Sequence, residues 1–69
     1  MFDEQSGCCA ICGKHQDVLT KTLSVDHSHT TGQVRRLLCH KCNMAIGLLD
    51  DSPELAAKVS QYLTEYLNN

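Results

Sequence analysis

Apolar and polar residues alternate over K-T-L-S-V-D-H, residues 21–27, where Leu23 and Val25 sit between Thr22, Ser24 and Asp26. A period of two in a run containing Thr and Val predicts a short strand. S-H-T-T-G, residues 28–32, is polar and closes on glycine, which signals a turn. Q-V-R-R-L-L, residues 33–38, then reads as a second strand that closes a hairpin with the first. Beyond it the period lengthens. Across C-H-K-C-N-M-A-I-G-L-L-D-D, residues 39–51, Ala45, Ile46 and Leu49 form an apolar stripe at helical spacing, so a short helix is expected. D-D-S-P-E-L punctuates it: Ser52 can cap a new helix, Pro53 suits its first position and Glu54 complements its positive end. From there Leu55, Val59, Tyr62, Leu63, Tyr66 and Leu67 recur on one face, predicting an amphipathic C-terminal helix over 53–67. Residues 1–7 read as a loose or short helical lead-in and residues 14–20 as loop.

Length changes how that last stripe is read. At 69 residues there is room for one domain, 1–69, with a small core. Aromatic residues are few, Phe2, Tyr62 and Tyr66, with no tryptophan, so the core must be aliphatic and minor and the fold needs a staple. The apolar stripe of the last helix is expected to pack against the hairpin and the first helix. The competing reading is a homodimer face, because so small a core can leave a stripe incompletely covered. No apolar run approaches the ~20 residues of a membrane span, and M-F-D-E-Q-S-G is acidic and polar where a signal peptide is basic and then apolar. A cytoplasmic protein without membrane contact is expected, and in a reducing compartment thiols stay free or bind metal.

Five cysteines supply the staple. Cys9-x-x-Cys12 and Cys39-x-x-Cys42 are knuckle spacings, in which both thiolates reach one tetrahedral ion at roughly 2.3 Å while neighbouring amides donate to sulfur. Gly13 lets the first knuckle bend. The 26 residues from Gly13 to Leu38 exceed the usual interval of about 15–20, which an inserted hairpin explains. A structural Zn2+ held by Cys9, Cys12, Cys39 and Cys42 is therefore expected, ahead of a redox pair or disulfides. Cys8 could replace Cys9 only by stretching the first knuckle, so it is expected to be a free thiol without a role.

Net charge is −2, which on its face argues against a nucleic-acid partner. The distribution differs from the sum: from Lys14 to Lys41 there are five basic residues against Asp17 and Asp26. A locally basic middle can meet phosphate, with steep salt dependence, or be an ordinary solvated surface.

Zinc leaves Asp26, His27, His29 and Asn43 unexplained. Asn43 follows Cys42, so the metal fixes the helix that carries it, and Asp26 and His27 end a strand that the hairpin holds nearby. A carboxylate, an imidazole and a carboxamide on a rigid platform suit phosphodiester hydrolysis. Asp26 and the Asn43 oxygen are hard ligands for Mg2+ or Mn2+, and His27 can take a proton from water. The planar fork of Arg35 matches phosphate. Taken singly, each has an ordinary structural role: a turn aspartate, surface histidines, a cap asparagine.

The run V-D-H-S-H-T-T-G-Q-V-R-R-L-L-C-H-K-C-N-M-A-I-G, preceded by C-A-I-C-G, resembles the recombination endonuclease VII family of phages, His-Me finger (HNH) nucleases with a ββα-metal fold. The resemblance covers residues 8 to about 50. It implies a small α+β zinc-stapled domain, with knuckles at 9–12 and 39–42, a ββα-metal core over 21–50 and the helix 53–67. It implies DNA as partner, a host-cell cytoplasmic location and a one-metal endonuclease. By its motifs Cys9, Cys12, Cys39 and Cys42 are the zinc ligands, Asp26 and Asn43 hold catalytic Mg2+ or Mn2+, and His27 is the general base. His29 is assigned to phosphate contact or leaving-group assistance, and Arg35, with Arg36 and Lys41, to phosphate. Relatives usually carry glycine at Arg36, and some a carboxylate at Ile46. Junction-resolving members have an extended C-terminal part, so nicking or cutting of duplex DNA with little sequence preference is expected here rather than junction resolution. The rival is a non-catalytic zinc-dependent nucleic-acid-binding or accessory phage protein.

Overall fold

The computed structural model describes residues 1–67. A two-stranded antiparallel sheet, β1 (Ser24–His27) and β2 (Val34–Leu38), leads into α1 (His40–Leu48) and then α2 (Pro53–Leu67). The predicted hairpin and both helices are present, in a small α+β arrangement.

The first strand starts three residues later than the alternation suggests, and Gln16 is the reason. Its side-chain amide accepts from Leu23 N (2.7 Å) and donates to Lys21 O (3.2 Å), so the backbone of 21–23 is bound to a side chain instead of the ladder. Gln16 itself lies in a 3₁₀ turn, Gln16–Val18, inside the stretch expected to be loop. The lead-in is a series of turns, and Gln5 fastens it: the amide donates to Leu37 O (3.0 Å) and accepts from Leu37 N (2.9 Å) along the outer edge of β2.

Within the hairpin, Ser24 pairs with Leu38 and Val25 with Leu37, but His27 pairs with Val34. One residue of β1, Asp26, therefore faces two of β2, Arg35 and Arg36. That is the arrangement of a β-bulge, which re-aims side chains locally.

α1 stops at Leu48, short of the predicted end. Asp51 N donates to Ile46 O (2.8 Å) and Asp50 N to Gly47 O (3.0 Å), the two bonds of a Schellman motif. The usual glycine is replaced by Asp50 and Asp51, both at φ 57°; aspartate is among the few non-glycine residues that visit this region. Ser52 then caps α2 as expected, its hydroxyl accepting from Leu55 N at 3.1 Å.

The core is a shell around the cysteines: Cys9, Leu23, Leu37, Leu38, Cys39 and Cys42 are buried, with Leu19 and Ile46 packed against them. The expected packing of α2 against the hairpin and α1 is not found. No described residue of α2 is buried; Leu55 and Val59 remain 38% exposed, Tyr62 63% and Leu63 61%. The left-handed Asp50–Asp51 step redirects the chain after α1, and Val25, Val34, Met44 and Leu48 of the hairpin and α1 stay exposed as well. Tyr62 and Tyr66 rest on each other, with ring centroids 5.2 Å apart, as i,i+4 neighbours on a helix can.

Candidate functional site

Four sulfurs meet where the first knuckle touches the start of α1. The Sγ atoms of Cys9, Cys12, Cys39 and Cys42 all lie within 4.8 Å of one another, with Cys12 and Cys39 at 3.7 Å. Tetrahedral coordination with bonds of roughly 2.3 Å demands sulfur separations of about 3.8 Å. The quartet is placed to hold a zinc-sized ion. Backbone geometry holds it: Gly13, at φ 77°, closes the first knuckle by donating to Cys9 O (3.0 Å), and Ile11 N points at Cys9 Sγ (3.4 Å). In the second knuckle Cys42 N points at Cys39 Sγ (3.5 Å), so one thiol also caps α1.

The electrostatics are uneven. Burial works to raise the Cys9 thiol, but backbone N–H groups of Cys39, Cys12 and Ile11 outweigh it and pull it down to about 6. Cys42 is pushed up to about 12, by burial first and then by hydrogen bonding with Cys39, Cys9 and Cys12. One thiolate forms readily and a second is resisted, a conflict that a bound divalent cation relieves. Cys8 lies outside the quartet; its backbone forms an isolated antiparallel bridge with His15, and its thiol donates to Ser6 O at 3.4 Å.

The hairpin carries the second group. Asp26 is 5% exposed, unusual for a carboxylate, and it is paired. Arg35, brought alongside by the bulge, donates from Nε to Asp26 Oδ2 at 2.5 Å. The same guanidinium donates to Asp51 Oδ1 (2.8 Å) and Oδ2 (3.1 Å) and to His27 O (3.1 Å). These contacts raise the already high Arg35 pKa, through the hydrogen bond to Asp26 first and that to Asp51 second. Asp51 in turn is held below its usual value, chiefly by the hydrogen bond from Arg35. His29 N also reaches Asp51 Oδ2, at 3.4 Å, so one carboxylate ties the hairpin turn to the end of α1.

Asp26, Arg35 and Arg36 share a cavity of about 380 Å³ with Ile46, Leu49 and Asp51 among its walls. His27, the next residue along β1, is exposed, as strand alternation directs, and His29 is exposed in the turn. Asn43 is half-buried on α1, one residue past Cys42. His27, His29 and Asn43 do not line the Asp26 cavity, and Lys41 lines a different one. The fork of Arg35, expected to meet phosphate, is engaged by carboxylates. Asp51 escaped the sequence reading, because D-D-S-P marks only a helix boundary; its role comes from a left-handed turn that swings the carboxylate back to β2.

A model of the recombination endonuclease VII family matches residues 1–65. The gene 59 proteins of Mycobacterium phages D29 and L5 are 42% and 41% identical to the chain over 64 residues. Each alignment covers 91% of this chain and 38% of the relative, so the chain spans well under half the length of the curated relatives it matches. No solved structure matches it.

Proposed function

The chain belongs to the recombination endonuclease VII family, and on that footing we propose that it is a metal-dependent DNA endonuclease, a single HNH unit over 1–69 with a His-Me finger site on the hairpin and α1. One observation carries the reading: a buried carboxylate, Asp26, is followed in β1 by the solvent-open His27, on a hairpin that runs through Cys39 of the sulfur quartet into the helix that bears Asn43.

Asp26 suits a hard cation. Arg35 occupies Oδ2, and among the described residues nothing hydrogen-bonds Oδ1. The Asn43 side-chain oxygen is the second donor. Mg2+ or Mn2+ bound there supplies charge neutralisation at the phosphate and at the leaving oxygen. His27 accepts a proton from water, and the hydroxide attacks phosphorus as the P–O bond to the leaving oxygen breaks and that oxygen takes up a proton. His29 contacts phosphate or assists the leaving oxygen. Arg36 and Lys41, both exposed, meet phosphate, while Arg35 orients the Asp26 carboxylate.

Duplex DNA, nicked or cut with little sequence preference in the cytoplasm of a phage-infected cell, is the proposed substrate. A homodimer through α2 belongs to the same reading, since the described part of the chain leaves that stripe uncovered. No described helix is long and apolar enough to cross a membrane.

One observation favours the rival, a non-catalytic binding module: Arg35 already balances Asp26 without any cation. Zinc-loaded protein incubated with supercoiled plasmid, with and without added Mg2+ or Mn2+, separates the two. Metal-dependent nicking that His27→Ala abolishes is the expected result. Gel retardation without nicking in either metal would establish the module instead.

A further inference from the structure

Away from Asp26 lies a second concavity, of about 210 Å³, against the buried Cys39. Lys14, Lys21 and Lys41 line it, with Leu19, Thr20 and His40 between them. Half of the six lysines and arginines of the chain therefore share one small cleft. No carboxylate is among its walls. Asp17, the acid nearest in sequence, sits beside His15 instead, with 3.5 Å between Oδ2 and Nδ1. Among the described residues, none of the three lysines is in an ion pair, whereas Arg35 is held by two carboxylates.

The three ammonium groups come from three separately anchored pieces of backbone. Lys14 follows the first knuckle, where its carbonyl accepts from Cys9 N at 2.9 Å. Lys21 is fixed by Gln16, whose Nε2 donates to its carbonyl at 3.2 Å. Lys41 stands in the first turn of α1, where the helix dipole adds positive potential. A zinc ion on four thiolates behind Cys39 offsets two of these three positive charges, and the positive potential left over at the cleft mouth favours an anion. Lysine supplies point charges on flexible stems, without the fork that reads geometry, so the anion it suits is a repeated phosphate.

We propose that this knuckle-side cleft seats the phosphate backbone of duplex DNA, as a docking subsite separate from the Asp26 cavity. It rests on the nuclease reading only for the identity of the polyanion.

The test titrates fluorescein-labelled duplex DNA with zinc-loaded protein over a series of NaCl concentrations, without Mg2+, and follows anisotropy. Counterion release gives a slope of log K against log[salt] of about −0.9 per phosphate contact. Lys14→Gln, Lys21→Gln and Lys41→Gln combined is expected to flatten that slope by about 2.7, while Lys58→Gln on α2 leaves it unchanged. In cleavage assays Lys14→Gln combined with Lys21→Gln raises KM and keeps kcat within about twofold. An unchanged slope in the triple variant overturns the subsite even if the parent cuts DNA. A flattened slope with no cleavage in either metal keeps the subsite and removes the nuclease. A parent that does not bind duplex DNA removes both. Zinc content and thermal melting establish folding; should the triple variant fail to fold, Lys14→Gln and Lys21→Gln separately are each expected to flatten the slope by about 0.9.

Discussion

Arg35 and Asp51, sixteen residues apart in sequence, meet through two hydrogen bonds, Nη2 to Oδ1 at 2.8 Å and Nη1 to Oδ2 at 3.1 Å. With Nε on Asp26, one guanidinium spans β1, β2 and the turn after α1. Removing it leaves the buried Asp26 carboxylate without its counter-charge, the kind of loss that costs more than the pair itself contributes. Arg35→Ala is expected to lower the Tm of zinc-loaded protein by several degrees, and Arg36→Ala to change it little. Equal melting of the two variants, followed by circular dichroism, would contradict this account of the bulge.

Acid should release the same clamp. The Asp51 carboxyl is depressed below its ordinary 3.8 by Arg35, so it binds its proton less readily folded than unfolded. Its contribution to stability is complete above the ordinary value and drains away as pH falls through 3.8 towards the lower folded value. Urea unfolding of the parent and of Asp51→Asn, compared from about pH 6 to about pH 3, should show a gap that narrows with acid. A gap that widens on acidification would reverse the sign and refute the coupling.

Loaded with zinc, the sulfur quartet is expected to carry most of the fold. A core of a few leucines supplies little, on the order of 3–5 kcal/mol at this size, whereas structural zinc in small fingers contributes about 10–16 kcal/mol. Cys39→Ser removes a ligand and the cap of α1 together. It is expected to abolish cooperative melting and zinc stoichiometry, while Cys8→Ser retains both. Native-like circular dichroism from a Cys39→Ser protein free of zinc would disprove metal-driven folding.

Gly7 separates steric from conformational cost. Its φ is 69°, and a Cβ placed there would lie 2.7 Å from His15 Nε2 and 2.9 Å from Phe2 Cζ. Gly32 has a similar φ of 76° but open space around it. Gly32→Ala should cost only the left-handed backbone term, about 1–2 kcal/mol, and Gly7→Ala clearly more. Denaturant midpoints of the two variants decide it; a smaller loss at Gly7 would show that Phe2 and His15 yield freely.

Local chemistry made much of this molecule legible. Cys-x-x-Cys spacing placed the quartet, period-two alternation placed the hairpin, and S-P-E marked the start of α2 to the residue. What escaped depends on contacts between distant segments. Nothing in K-T-L reveals that Gln16 will take its backbone bonds, and nothing in V-R-R reveals a bulge that turns Arg35 onto Asp26. The stripe of α2 was read correctly as a stripe and wrongly as packed, because helical periodicity records which face is apolar and not what covers it. Asp51 was invisible for a related reason: a carboxylate in a helix-ending turn acquires its partner only from the left-handed step that aims it.

Gln5 has a consequence for life in a crowded cell. A ribbon of just two strands presents a raw flank on either side, each able to recruit extended chain from a neighbour. By lending its amide to both backbone groups of Leu37, Gln5 occupies the rung of β2 on which a foreign strand would begin to zip. Ala10 N, which also donates to Leu37 O at 3.1 Å, covers the same rung from the first knuckle, so a chain truncated before residue 6 would bare the Leu37 N–H alone.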